Sequence, residues 1–129
     1  MHENKYQLTV TETQLRLIAE CVEDCHRFMA GQYELHHMTS RLDNYHELQD
    51  ELRKLKPLVT PALADYGSCY DWCGTHCPNP AQRKFIAQTY PIYREIVHFL
   101  TVQRGVENAY SSETLTCEEG GEPVQIVKI

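Results

Sequence analysis

Apolar side chains recur every three or four residues through three stretches of this chain, and every second residue through two others. The first helical stripe is Leu15, Ile18, Val22, Cys25, Met29 and Tyr33, which predicts an α-helix over about 12–38. Thr11 suits its N-cap, and Gln14 three residues later completes a capping box. Gly31 falls inside the pattern, where a helical glycine costs roughly 1 kcal/mol against Ala. Such a glycine marks close approach by a backbone or a ligand; a plain break in the helix is the alternative.

A second stripe, Leu42, Tyr45, Leu48, Leu52 and Leu55, predicts a helix over about 41–56, capped by Thr39 or Ser40 and stopped by Pro57. A short connection would fold these two helices into an antiparallel hairpin. The third stripe, Ile86, Tyr90, Tyr93, Val97 and Leu100, predicts a helix over about 80–104. Asn79-Pro80 starts it, Gly105 ends it, and Pro91 must kink or restart it. Between the second and third helices, residues 57–80 hold four of the six prolines, three cysteines and the only tryptophan. With Tyr66 and Tyr70 they read as an ordered loop or short helical turn over 57–79.

Alternation replaces the helical period at both ends. Tyr6, Leu8 and Val10 share one side of a short predicted strand. Within about 113–129, residues 114–117 and 124–129 alternate around the turn-like Glu-Glu-Gly-Gly-Glu-Pro at 118–123, which predicts a hairpin. The expectation is a single, mainly α domain over 1–129. It consists of a helical hairpin plus a third helix, with a small antiparallel β element from the N- and C-terminal segments.

Composition changes this picture little: 42% hydrophobic and 23% charged residues are ordinary for a globular chain with one modest core. No apolar run is long enough for a membrane span. The opening MHENKYQ has neither the basic start nor the apolar core of a signal peptide, so a cytoplasmic location is expected. A net charge of −6 argues against extended nucleic acid as a partner. It leaves room for a small anionic ligand held by local arginines. The narrow leucine and tyrosine seams exceed what one small core needs, which predicts a homo-oligomer.

Four groups of residues invite a chemical reading. Cys69, Cys73, His76 and Cys77 offer zinc ligands, although each cysteine gap is one residue longer than in the usual pair; loop thiols packed as small hydrophobes are the alternative. Cys21 and Cys25 could join that set across the fold. His36, His37 and His46, with Glu34, Glu47 and Asp50, could serve a metal or acid–base site, or simply be solvated at a hairpin tip. Cys25-His26 is no nucleophile–base pair, because adjacent helical side chains point about 100° apart. The fourth group is Arg27, Gln32 and Tyr33 near the end of the first helix, with Tyr90, Tyr93, Arg94 and His98 along the third. Arginine forks onto phosphate, tyrosine stacks on a base and glutamine reads its edge. The alternative makes the tyrosines core aromatics and the arginines solvated.

Two of these segments together resemble a family of small helical proteins of tailed phages and prophages. One is Leu17-Ile-Ala-Glu-Cys-Val-Glu-Asp-Cys-His-Arg-Phe-Met-Ala-Gly-Gln32, similar to an amphipathic helix closing on a Gly-Gln pair; the other is Tyr90-Pro-Ile-Tyr-Arg-Glu-Ile-Val-His98. Pro91 stands where that pattern has an acidic residue. The resemblance covers about a quarter of the chain and implies an accessory or counter-defence role. The leading expectation is a non-enzymatic phage sponge, without a cofactor, that sequesters a small anionic nucleotide signal through Arg27, Gln32, Tyr33, Tyr90, Tyr93, Arg94 and His98. The alternatives are a protein-interaction module that inhibits a host protein and a small metal-dependent enzyme.

Overall fold

A computed structural model describes residues 3–61, 77–103 and 124–129. Five helices occur among them: α1 (Glu12–Met29), α2 (His36–Thr39), α3 (Tyr45–Arg53), α4 (Lys56–Val59) and α5 (Pro80–Gln103). The zinc-like set at Cys69, Cys73 and His76, the aromatics Tyr66, Tyr70 and Trp72, and the first arm and turn of the expected hairpin lie outside the described residues.

The capping box starts α1: the Gln14 amide donates to Thr11 Oγ1 at 3.1 Å, and the Thr11 amide donates to Gln14 Oε1 at 2.9 Å. The helix ends nine residues short of the expected boundary. Gly31 takes φ 105°, a left-handed conformation that glycine adopts without a Cβ penalty. The Gln32 amide then reaches the Arg27 carbonyl at 2.7 Å, and the Gly31 amide reaches that of Phe28 at 3.3 Å. These two bonds make a Schellman termination. Gly31 is therefore a stop, and Tyr33 and His36 belong to the segment beyond it.

The pairing of helices also differs from the expected hairpin. α1 packs along α5, α2 lies against α1, and α3 lies against α2. Register shows the α1–α5 pair to be antiparallel: Gln82 Nε2 donates to the Met29 carbonyl, His26 meets Thr89, and Ala19 shares the core with Tyr93, Ile96 and Leu100. Leu15, Ile18, Val22, Tyr90, Ile92, Val97 and Phe99 close around that core. Cys25, which the stripe placed inside, is exposed, because the buried face runs through Ala19, Val22 and His26 instead.

The second expected helix is broken. Thr39 ends the single turn of α2 rather than capping a long helix; α3 starts at Tyr45 without a side-chain cap, and Pro57 enters the first turn of α4, where its missing N–H costs nothing. Leu42 and Tyr45 of the leucine seam are exposed. Asn79 Oδ1 accepts from the Gln82 amide at 3.2 Å to open α5, which continues through the buried Pro91 without restarting.

The expected β element is corrected. Among the described residues there is no strand. Residues 6–10 and 124–129 carry the alternating pattern, yet neither has a ladder partner there, and short strands without neighbours are unstable in water. Tyr6 and Leu8 are exposed, and of the last six residues only Ile126 reaches the α1–α5 core. The described residues are mainly helical and lack that element.

Candidate functional site

Because α1 stops at Gly31, the chain turns back and lays residues 34–37 beside residues 23–27. An open cleft of about 340 Å³ results, lined chiefly by Glu23, Arg27, Gln32, Glu34, His37 and Arg53. Asp24, Leu35, His36 and Gln49 complete its wall.

Asp24 builds the floor. Its carboxylate is buried and accepts from two consecutive backbone amides, His37 to Oδ1 at 3.1 Å and Met38 to Oδ2 at 2.9 Å. These are orphan donors at the start of α2, which the residue before the helix cannot satisfy, since Leu35 is apolar. Leu35 sits at φ 48°, ψ 56°, a left-handed conformation that costs a branched residue about 1–2 kcal/mol. That conformation aims the first amides of α2 at Asp24.

Glu23 ties the wall together. It accepts from Arg27 Nε at 2.7 Å and pairs with His37 Nε2 at 3.0 Å. Burial opposes its ionisation, but the bonds and charges of Arg27 and His37 prevail and hold the carboxyl below its ordinary range. Arg27 Nη1 donates to Gln32 Oε1 at 2.6 Å. Across the cleft, Arg53 Nε donates to Glu34 at 3.0 Å, and its Nη1 donates to Asp50 at 2.8 Å. Within the wall Gln49 Nε2 donates to Thr39 Oγ1 at 2.8 Å, which fastens α3 to α2.

The seven residues expected to form one site fall into three places. Arg27 and Gln32 share the cleft. Tyr33 is a core residue: its hydroxyl bonds Thr60 Oγ1, Phe28 meets its ring edge-on, and burial pushes its pKa up to about 12. Tyr90, Tyr93 and Arg94 gather on α5 around His26 instead. The two tyrosine rings lie 5.5 and 5.2 Å from the His26 ring, and the Arg94 guanidinium sits 5.5 Å from the centre of the Tyr90 ring. His98 is half-buried one turn beyond Arg94, outside the cleft.

His26 is the pivot of that second cluster. Thr89 donates its hydroxyl hydrogen to the Phe85 carbonyl at 2.7 Å, so it accepts from His26 Nδ1 at 2.9 Å and fixes the neutral tautomer. Burial lowers the His26 pKa to about 4, and a hydrogen bond to the Ile86 backbone only partly offsets it. Burial likewise raises the pKa of Tyr93.

Of the histidine group, His37 and His36 line the cleft, whereas His46 stacks on Tyr45 with ring centroids 4.0 Å apart. Among the described residues no three His, Cys, Asp or Glu side chains converge as a metal site. The pattern-based reading missed Glu23, Asp24 and Arg53. The available signal was Gly31: read as a helix stop, it folds residues 34–37 back onto the last turns of α1. No helix among the described residues is long and apolar enough to cross a membrane. Comparison of the chain with protein-family models, with curated proteins and with solved structures returns no match.

Proposed function

We propose that the chain is a non-enzymatic binding protein whose cleft takes a small anionic ligand, a single nucleotide in particular, and that it acts as a phage counter-defence sponge. The carrying observation is the convergence of Arg27, Gln32 and Arg53 from α1, the turn after it and α3 on one open cleft of about 340 Å³. That volume lies at the small end of ligand sites and suits a mononucleotide better than an oligonucleotide. The resemblance to small phage proteins supplies the biological role.

The chemistry sets the ligand's polarity. Glu23 and Glu34 hold the two guanidiniums in place before anything binds, which lowers the ordering cost of association. Gln32 Oε1 is the neutral partner of Arg27, and a phosphate or carboxylate oxygen makes the stronger, charge-assisted bond in its place. Three lining carboxylates against two guanidiniums leave the cleft at about −1 before any histidine is counted. A ligand of low net charge therefore fits better than a polyanion, with amino groups of a base directed to Glu34.

Thermal-shift screening of the purified chain against mononucleotides and cyclic nucleotides tests this, followed by denaturation and chromatography of what was bound. Intact nucleotide is the expected product. Arg27→Ala should weaken binding by about 10- to 100-fold, the worth of a hydrogen bond to a charged group. Altered nucleotide would favour an enzyme, and no shift with any nucleotide would favour the protein-interaction reading.

A further inference from the structure

The outward face of α1 holds a feature that the cleft does not use. Cys21 and Cys25 are both free and exposed, one helical turn apart. Unpaired cysteine is among the most buried residue types, so two of them on one exposed face run against the usual preference. Residues four apart on a helix face the same side, with Cβ atoms about 5–6 Å apart. A disulfide needs about 3.5–4.5 Å between Cβ atoms. An intact α1 therefore keeps the pair as a dithiol, whose two sulfurs can lean toward a point midway between them.

We propose that Cys21 and Cys25 form a two-thiolate site for a soft metal ion, monovalent copper above all. Thiolates select soft ions, and zinc wants four ligands where this face supplies two. Among the described residues no third His, Cys, Asp or Glu joins the pair. His26, the nearest imidazole in sequence, is turned into the core. Arg41, on the far side of the turn, is engaged elsewhere: its Nη2 lies 2.5 Å from Glu20 Oε2. A copper ion between two thiolates carries a net charge of about −1, which the solvent at this exposed face screens. Each thiol gives up its proton on binding, so two protons leave per ion bound, with no change of oxidation state.

Titrating the full chain with monovalent copper, under anaerobic reducing conditions against a chromophoric copper chelator, tests the assignment. Wild type is compared with Cys21→Ser and Cys25→Ser, and circular dichroism checks that helix content is kept. Each single substitution is expected to lose one whole equivalent of chelator-resistant copper, because one thiolate alone does not hold the ion. In wild type, one equivalent of copper should protect Cys21 and Cys25 together from alkylation, read by peptide mass spectrometry. Full copper stoichiometry in either variant overturns the proposal, as does unprotected alkylation of both thiols.

Discussion

Asp24 and His26 lie two positions apart on α1, both less than a tenth exposed, and burial treats them in opposite ways. Asp24 keeps company with two backbone amides that need an acceptor, whereas His26 is held neutral among aromatic rings. The His26 pKa of about 4 falls below its ordinary 6.5, so between those values the unfolded chain binds a proton that the folded chain refuses. Stability is therefore full above about pH 6.5 and declines as pH falls toward 4, by roughly 3 kcal/mol in all. Urea denaturation at pH 7 and pH 4 should show that loss, and His26→Phe should remove most of the pH dependence. At the neighbouring position, Asp24→Asn places an N–H donor against the α2 amides. A cost of about 1–3 kcal/mol is expected, with faster hydrogen exchange at His37 and Met38.

At the scale of elements, α1 and α5 were legible because each buries one continuous face and each opens on a local cap, Thr11 with Gln14 and Asn79 with Pro80. Periodicity failed between them. Residues 33–55 retain apolar spacing, but Gly31 and the left-handed Leu35 redirect the chain, and a three- to four-residue period carries no record of a backbone turn. The arginine pair of the cleft was half visible: Arg27 stood out, while Arg53 was hidden on a helix whose attachment depends on Gln49 and Thr39. The terminal alternation misled for the opposite reason, since a strand pattern has meaning only beside a partner. The Leu35 conformation makes its own test. Leu35→Gly should change stability by less than about 1 kcal/mol, as relieved strain offsets lost packing. Leu35→Val, chemically closer, should cost more than that, because a β-branched residue tolerates the left-handed region worst. Chemical denaturation of the two variants checks the order.

For the molecule as a whole, stability rests on the antiparallel α1–α5 contact, with Ile86 wholly buried on α5. Ile86→Ala should cost roughly 2–5 kcal/mol, measured by urea unfolding, and should abolish ligand binding and folding together rather than ligand binding alone. The cleft variant Arg27→Ala, by contrast, should leave the unfolding midpoint nearly unchanged, its side chain being partly exposed.

The separation in sequence of α1 and α5 sets an order of events during synthesis. Every residue that lines the cleft lies between Glu23 and Arg53, and all of them leave the ribosome before α5 has been made. Their scaffold, however, is α1, and α1 has its apolar face covered only when residues 86–100 arrive to pack against it. The cleft is thus among the first parts of the chain to be translated and the last to be fixed in place. A nascent chain halted before Pro80 would carry each cleft side chain and none of the α5 surface that holds α1 in place.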